Sequence, residues 1–323
     1  MRRVIGLTLV GLGAFLFAAA VLLRVYVAGQ VVKFPLNEYV KTTLLAHNVS
    51  YFSPSLVRKV AGATIRVTDT IKSDTRAGSS STTVWNEFTY LYDTTNHAVY
   101  AYSTRRAAFD RRTSQLVDCC GANIGGNSAI RQTGLSGYVW PIGSEKKTYM
   151  VFDTTLNRPM PYRYAGTGTI GGVPVYRFVE TVPPTKFGSQ TLPGSLVGSS
   201  QKLVTLSQYY EGTNTDWVDP RTGGVLDTTQ NQKLSLRDAT GAQRLLLFSG
   251  DIIMTPQSVH QAVGLDSTGR NELNWFTTLT PLILGVAGVA ALIAGIVLVR
   301  LRRGDQPDDA RAEAPEPALG PAR

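Results

Sequence analysis

The only two cysteines in the 323-residue chain, Cys119 and Cys120, are neighbours. Adjacent thiols can close a vicinal disulfide that locks one turn, bridge to a second chain, or stay free; a redox relay favours Cys-x-x-Cys instead. Two neighbouring thiols with no clustered histidine fall short of the ligand number and spacing a metal needs. His47, His97 and His260 are far apart and sit in unrelated local contexts. No Gly-x-Ser-x-Gly elbow marks a nucleophile, and no Gly-x-x-x-x-Gly-Lys loop marks a phosphate site. Gly166-Thr167-Gly168 with Gly171-Gly172 lies between strand-like runs with no helix after it, so it reads as a hairpin turn. These residues point to a protein that is not an enzyme and holds no cofactor.

One cluster can do binding chemistry. Arg105-Arg106 and Arg111-Arg112 bracket Ala107-Ala108-Phe109-Asp110. Two arginine pairs can grip a phosphate or carboxylate bidentately, and the alternative is a solvated charge cluster. Aromatic residues offer apolar contact, foremost Trp85, Phe88, Tyr90, Tyr138, Trp140, Tyr176 and Phe178, or they form ordinary core.

The elements that must position these residues lie between two apolar runs. Val4 to Leu23 follows Arg2 and Arg3, and Leu282 to Val299 precedes Arg300, Arg302 and Arg303. Each is close to the ~20 apolar residues that cross a ~30 Å hydrocarbon core. Short arginine-bearing flanks stay cytoplasmic, so both termini are expected inside, at the plasma membrane. The expected order is a cytoplasmic N-terminus over 1–3, a first transmembrane helix over 4–24, and an extracytoplasmic domain over 25–275. A second transmembrane helix over 276–300 and a disordered cytoplasmic tail over 301–323 complete it. A cleaved signal peptide is the rival reading of the first run. Trp275 and Phe276 suit the membrane interface, and Pro281 suits a first helical turn, where no N–H partner is needed. Ala287, Ala291 and Gly295, like Ala14 and Ala18, recur every four residues. Such spacing allows close helix packing, within one chain or across a homo-oligomer.

Charge narrows the partners. The formal net charge is +9, and the part between the apolar runs carries 25 Lys or Arg against 18 Asp or Glu, about +7. A basic domain facing an envelope suits lipid head groups or anionic wall polymers. Nucleic acid is excluded, because the domain faces away from it and no linear stripe interleaves aromatic with basic residues.

Within 25–275 the pattern is mainly β. Strand-like runs cover 61–71, 83–92, 98–102, 162–168, 173–182, 203–211, 225–227, 233–237 and 244–254, with turn residues at 94–97, 171–172, 219–224 and 238–241. Helices are expected over 36–46 and 257–263, a Gly/Ser/Pro-rich loop over 185–200, and irregular chain over 115–130. The fold class is therefore mainly β (α+β): an antiparallel meander closed as barrel or sandwich, between N- and C-terminal transmembrane helices.

Four stretches carry a resemblance. They are Trp140-Pro141-Ile142-Gly143-Ser144-Glu145-Lys146-Lys147-Thr148-Tyr149, Phe152-Asp153-Thr154-Thr155, Gly172 to Glu180, and Val218-Asp219-Pro220-Arg221-Thr222-Gly223. With the flanking spans, they resemble the actinobacterial membrane proteins of the porin PorA family, over nearly the whole chain up to about residue 303. The resemblance implies an envelope membrane protein and brings no catalytic residues. A porin barrel crosses the membrane with ~10-residue alternating strands and no helices, whereas here two helices provide the anchor. The expected function is non-enzymatic: the external domain binds or transfers a lipid or anionic envelope component. The alternatives are an oligomeric channel, as the family label implies, and a structural scaffold.

Overall fold

The computed structural model describes residues 2–27, 32–54 and 56–300. The tail expected over 301–323 lies outside them. The chain divides into two compact units, one formed by the terminal segments and the other by Val32–Glu272.

In the first unit, helix α1 (Arg2–Leu22) continues into a π-helical turn, Leu23–Val27. The C-terminal helical run is continuous: α2 (Pro256–Asn274), which belongs to the second unit as far as Glu272, then a π turn (Trp275–Leu279) and α3 (Thr280–Arg300) in the first. Both helices are long and apolar enough to cross a membrane. Pro281 lies in the first turn of α3, as its sequence context suggests, although the helical run continues into that turn from the π turn before it. Its missing N–H would have been the α-helical donor to the Thr277 carbonyl. That carbonyl instead accepts from Arg24 Nη1 at 2.5 Å.

α1 and α3 pack within one chain, and of the four-residue stripe only Gly295 is buried in the seam. Ala14, Ala18 and Ala287 are exposed and Ala291 is half-buried, while Gly6, Gly13, Ala20, Pro281, Gly288 and Gly295 are buried. The seam repeats every seven residues, because seven residues close on two turns and keep one face toward the partner. A Cβ on Gly13 would lie 2.7 Å from the Gly288 carbonyl oxygen, and one on Gly295 would lie 2.7 Å from that of Gly6. Only hydrogen fits between these backbones.

The second unit is an antiparallel half-barrel. Its strands are β1 (Tyr39–Ser53), β2 (Arg58–Ser73), β3 (Thr82–Asp93), β4 (Ala98–Asp110), β5 (Leu116–Val117), β6 (Asn123–Ile124), β7 (Tyr149–Asp153), β8 (Arg158–Ile170), β9 (Val173–Pro193), β10 (Leu203–Val218), β11 (Val225–Arg237) and β12 (Gln243–Met254). The sheet order is β5-β4-β3-β2-β1-β12-β11-β10-β9-β8-β7, with β6 beside β4. Two meanders thus join where the first strand pairs with the last.

One residue ties the far edges together. Leu135 bridges Gln115 on one side and Val151 on the other. Leu116 N–H donates to the Gly134 carbonyl at 2.8 Å, and Leu135 N–H donates to that of Met150 at 2.8 Å. Gly134 has φ +87°, and a Cβ there would sit 2.7 Å from the Met150 oxygen, so the junction requires glycine.

Two expected elements differ. Where a helix is expected over 36–46, residues 39–46 form the start of β1. Its apolar spacing mimics a helical stripe, but Leu44, Ala46, Val49 and Tyr51 point into the core, and β1 is paired on both sides. Tertiary pairing decides such a short β-branched run. The loop over 185–200 is largely strand, since β9 runs 21 residues to Pro193, followed by a 3₁₀ turn over Gly194–Val197. Pro183 and Pro184 are tolerated because β8 pairs with β9 only as far as Val179, and the β10 register slips opposite them.

The concave side is filled by apolar clusters. One gathers Leu44, Ile65, Val67, Phe248 and Ile252, and Val259 and Ala262 of α2 pack onto it. Another stacks Trp140 on Phe178 at 4.1 Å with Tyr162 and Leu135.

Candidate binding face on strands β1 to β4

Register places the outward side chains of β1 to β4 in rows. Lys41, Thr70, Phe88 and Thr104 form one; Thr43, Thr68, Tyr90 and Tyr102 the next; Leu45, Arg66, Tyr92 and Val99 a third. A fourth row, Tyr39, Lys72, Asn86 and Arg106, closes the end near the β4–β6 pair. Strand alternation sends their neighbours Asp69, Glu87 and Arg105 inward.

The outward rings neighbour one another along and across β3 and β4. Phe88 lies 6.3 Å from Tyr90 and 6.4 Å from Tyr102, and Tyr90 lies 6.2 Å from Tyr92. Tyr102 is 71% exposed and Phe88 44%. Beside Phe88 opens a groove of about 380 Å³, lined by Thr70, Lys72, Asn86, Thr104, Arg106 and Asn123, with Glu87 and Arg105 also in its lining.

Arg106 is a fixed wall of that groove. Its Nη2 pairs with Asp74 Oδ2, its Nη1 donates to Asn86 Oδ1, and its Nε donates to the Cys120 carbonyl, each at 2.8 Å. Cys119 and Cys120 are joined to each other, with Cys120 at φ +62°. Asn123 Nδ2 donates to the next carbonyl, Gly121, at 2.9 Å. The cysteine turn thus holds two groove residues.

The four arginines do not converge. Arg105 faces inward, donating from Nε to Gln132 Oε1 at 2.8 Å and lying over the Tyr138 ring at 4.7 Å. Arg111 donates to the Phe34 carbonyl at 2.7 Å. The Arg112 backbone N–H donates to Asp110 Oδ1 at 2.9 Å. Of the aromatic candidates, Phe88 and Tyr90 are outward. Trp85, Trp140 and Phe178 are core, and Tyr138 and Tyr176 pack against it.

Sequence reasoning missed a set of buried acids. Beneath the groove, burial and the nearby Glu87 charge push the Asp69 carboxyl up to about 8. Tyr138 Oη donates to Glu87 Oε2 at 3.0 Å. Deeper, Glu180 is fully buried and pushed up to about 7, first by burial and then by the Asp153 charge. Asn214 Nδ2 donates to its Oε2 at 2.6 Å. Burial also lifts Asp216 to about 6, against hydrogen bonds from Thr228 and Trp140. A third set ties α2 to the β10–β11 turn. Thr222 Oγ1 donates to Asp266 Oδ1, and Arg270 pairs with buried Asp219 at 3.5 Å. Burial, followed by Asp219's charge, raises Asp266 to about 7. Each acid sits on a strand, on α2 or, for Asp219, in the β10–β11 turn, where pattern alone reads polar surface. Among the described residues, no group of three or more His, Cys, Asp or Glu could hold a metal ion.

Fold and site thus define a β half-barrel flanked by two apolar helices, with an aromatic and basic outer face. The chain belongs to the Porin PorA family, which matches residues 5–297. No curated protein matches. A solved structure from Bacteroides fragilis, described as a putative exported protein with a YmcC-like fold, is similar at 8% identity and a TM-score of 0.23. The match covers 69% of this chain and 96% of that one, and likeness at this level carries no argument.

Proposed function

We propose that this chain is a non-enzymatic envelope protein, held in the plasma membrane by its helical hairpin, whose β domain binds an anionic envelope component. One observation carries the reading. The outward rows of β1 to β4 include Lys41, Arg66 and Lys72, which have no ion-pair partner among the described residues, and those rows contain no carboxylate. A face with cations of one sign attracts anions and steers their approach. Arg2 and Arg3 before the first apolar helix, and Arg300, Arg302 and Arg303 at the end of the second, favour cytoplasmic termini, which puts the β domain on the other side of the membrane. Lipid and wall polymer both supply the required charge.

The test uses the purified full chain in nanodiscs, offered alginate or phosphatidylglycerol vesicles. Binding to at least one probe, weakening as salt rises from about 0.05 M to about 0.5 M, supports the reading. Binding to neither removes it. The family's name favours a channel as the second reading. The two helices of one chain pack backbone to backbone through glycine, so a pore would need several copies. Conductance of the purified protein in planar bilayers would support that reading instead.

A further inference from the structure

We infer that the anionic component is a polysaccharide, bound along the aromatic rows of β2, β3 and β4; this rests on the anion-binding reading above.

The face alternates two chemistries at the scale of a sugar ring. Phe88, Tyr90, Tyr92 and Tyr102 present ring surface, whose electron-rich faces meet the partly positive C–H bonds on one side of a pyranose. Every row also carries a hydroxyl, amide or cation next to a ring. Thr70 and Thr104 flank Phe88, Thr68 flanks Tyr90, and Arg66 flanks Tyr92. A lipid surface would select a contiguous apolar patch at such a site. Here the apolar area is broken, row by row, by groups that hydrogen-bond, which suits a chain of hydroxyls.

Length and charge agree. From Asn86 to Tyr92 the rows extend about 20 Å along β3, room for several sugar residues in a line. Lys72 and Arg66 stand near the two ends of that line and Lys41 beside its middle, without partners among the described residues. This distribution matches acidic groups repeated along a polymer better than one terminal charge. The groove at the Arg106 end, with Asn86, Thr104 and Asn123 in its wall, is large enough to seat one sugar.

The experiment is calorimetric titration of the full chain in nanodiscs with alginate, neutral dextran, and phosphatidylglycerol vesicles. Alginate is expected to bind, dextran to bind more weakly, and Phe88→Ala and Tyr102→Ala each to weaken alginate by about tenfold. Both side chains are exposed, and a melting curve for each variant checks the fold. If vesicles bind and alginate does not, the anionic reading stands and the polysaccharide assignment falls. If neither binds, both fall. Alginate binding that survives both substitutions in folded protein also overturns the assignment, because the rings would then not be the platform.

Discussion

Arg106 receives its third hydrogen-bond partner from Cys120, whose carbonyl accepts from Nε at 2.8 Å. The acceptor belongs to a turn closed by the bond between Cys119 and Cys120. The disulfide therefore shapes the groove rather than the core. Replacing both cysteines by serine frees the turn and loosens Arg106 and Asn123. Alginate affinity is expected to fall about fivefold, close to 1 kcal/mol, with little change in the melting temperature. Titration and thermal unfolding of the double variant check this.

The buried acids make the β domain sensitive to pH in one direction. Glu180 titrates near its ordinary 4.5 when unfolded and at about 7 when folded. The folded state therefore holds the proton more tightly. Its contribution is fully present below about pH 4.5 and is lost as pH rises through about 7. Asp69, Asp216 and Asp266 are raised as well and act in the same sense. Denaturation of the full chain is expected to show greater stability at pH 5 than at pH 8. Glu180→Gln keeps the Asn214 contact without the charge, and should gain up to about 3 kcal/mol at pH 8 while flattening the profile.

Arg270 holds α2 to the domain through Asp219, whose side chain is only 1% exposed. Arg270→Ala leaves a buried carboxylate without its cation, beside Asp266. A loss of about 3 kcal/mol at pH 8 is expected. The loss shrinks at pH 5, where protonated Asp266 no longer adds to the charge. Denaturation at both pH values measures it.

The helix seam makes a contrasting prediction for two neighbours. Gly13→Leu would force a side chain against the Gly288 carbonyl oxygen, and Ala14→Leu places the same atoms on an exposed surface. The first should destabilise the helix pair by about 1–3 kcal/mol, and the second should be neutral. Unfolding of the full chain in mixed micelles of increasing SDS fraction reads the difference.

Much of the fold is legible in the sequence. The hairpin turns at Thr94–His97, Gly171-Gly172, Asp219–Gly224 and Asp238–Gly241 announce themselves through residue type, and they fall between β strands. β1 is not legible, because its apolar spacing fits a helix and only pairing with β2 and β12 decides it. Nor is the glycine seam, whose seven-residue period is hidden under a more visible four-residue one. The outer face is the instructive case. Arg66, Tyr92, Lys72 and Phe88 are not interleaved along the chain, so no linear stripe exists. Antiparallel register interleaves them across strands. Buried acids such as Glu180 escape for the related reason that burial is a property of the assembled sheet.

The most direct test of the account is hydroxyl-radical footprinting of the full chain in nanodiscs, with and without alginate, read by side chain. Binding at the outer face predicts protection of Phe88, Tyr90, Tyr92 and Tyr102, with Tyr164 and Tyr176 unchanged as internal references. Unaltered labelling of the four rings when alginate is bound, or protection confined to Tyr164 and Tyr176, would contradict it.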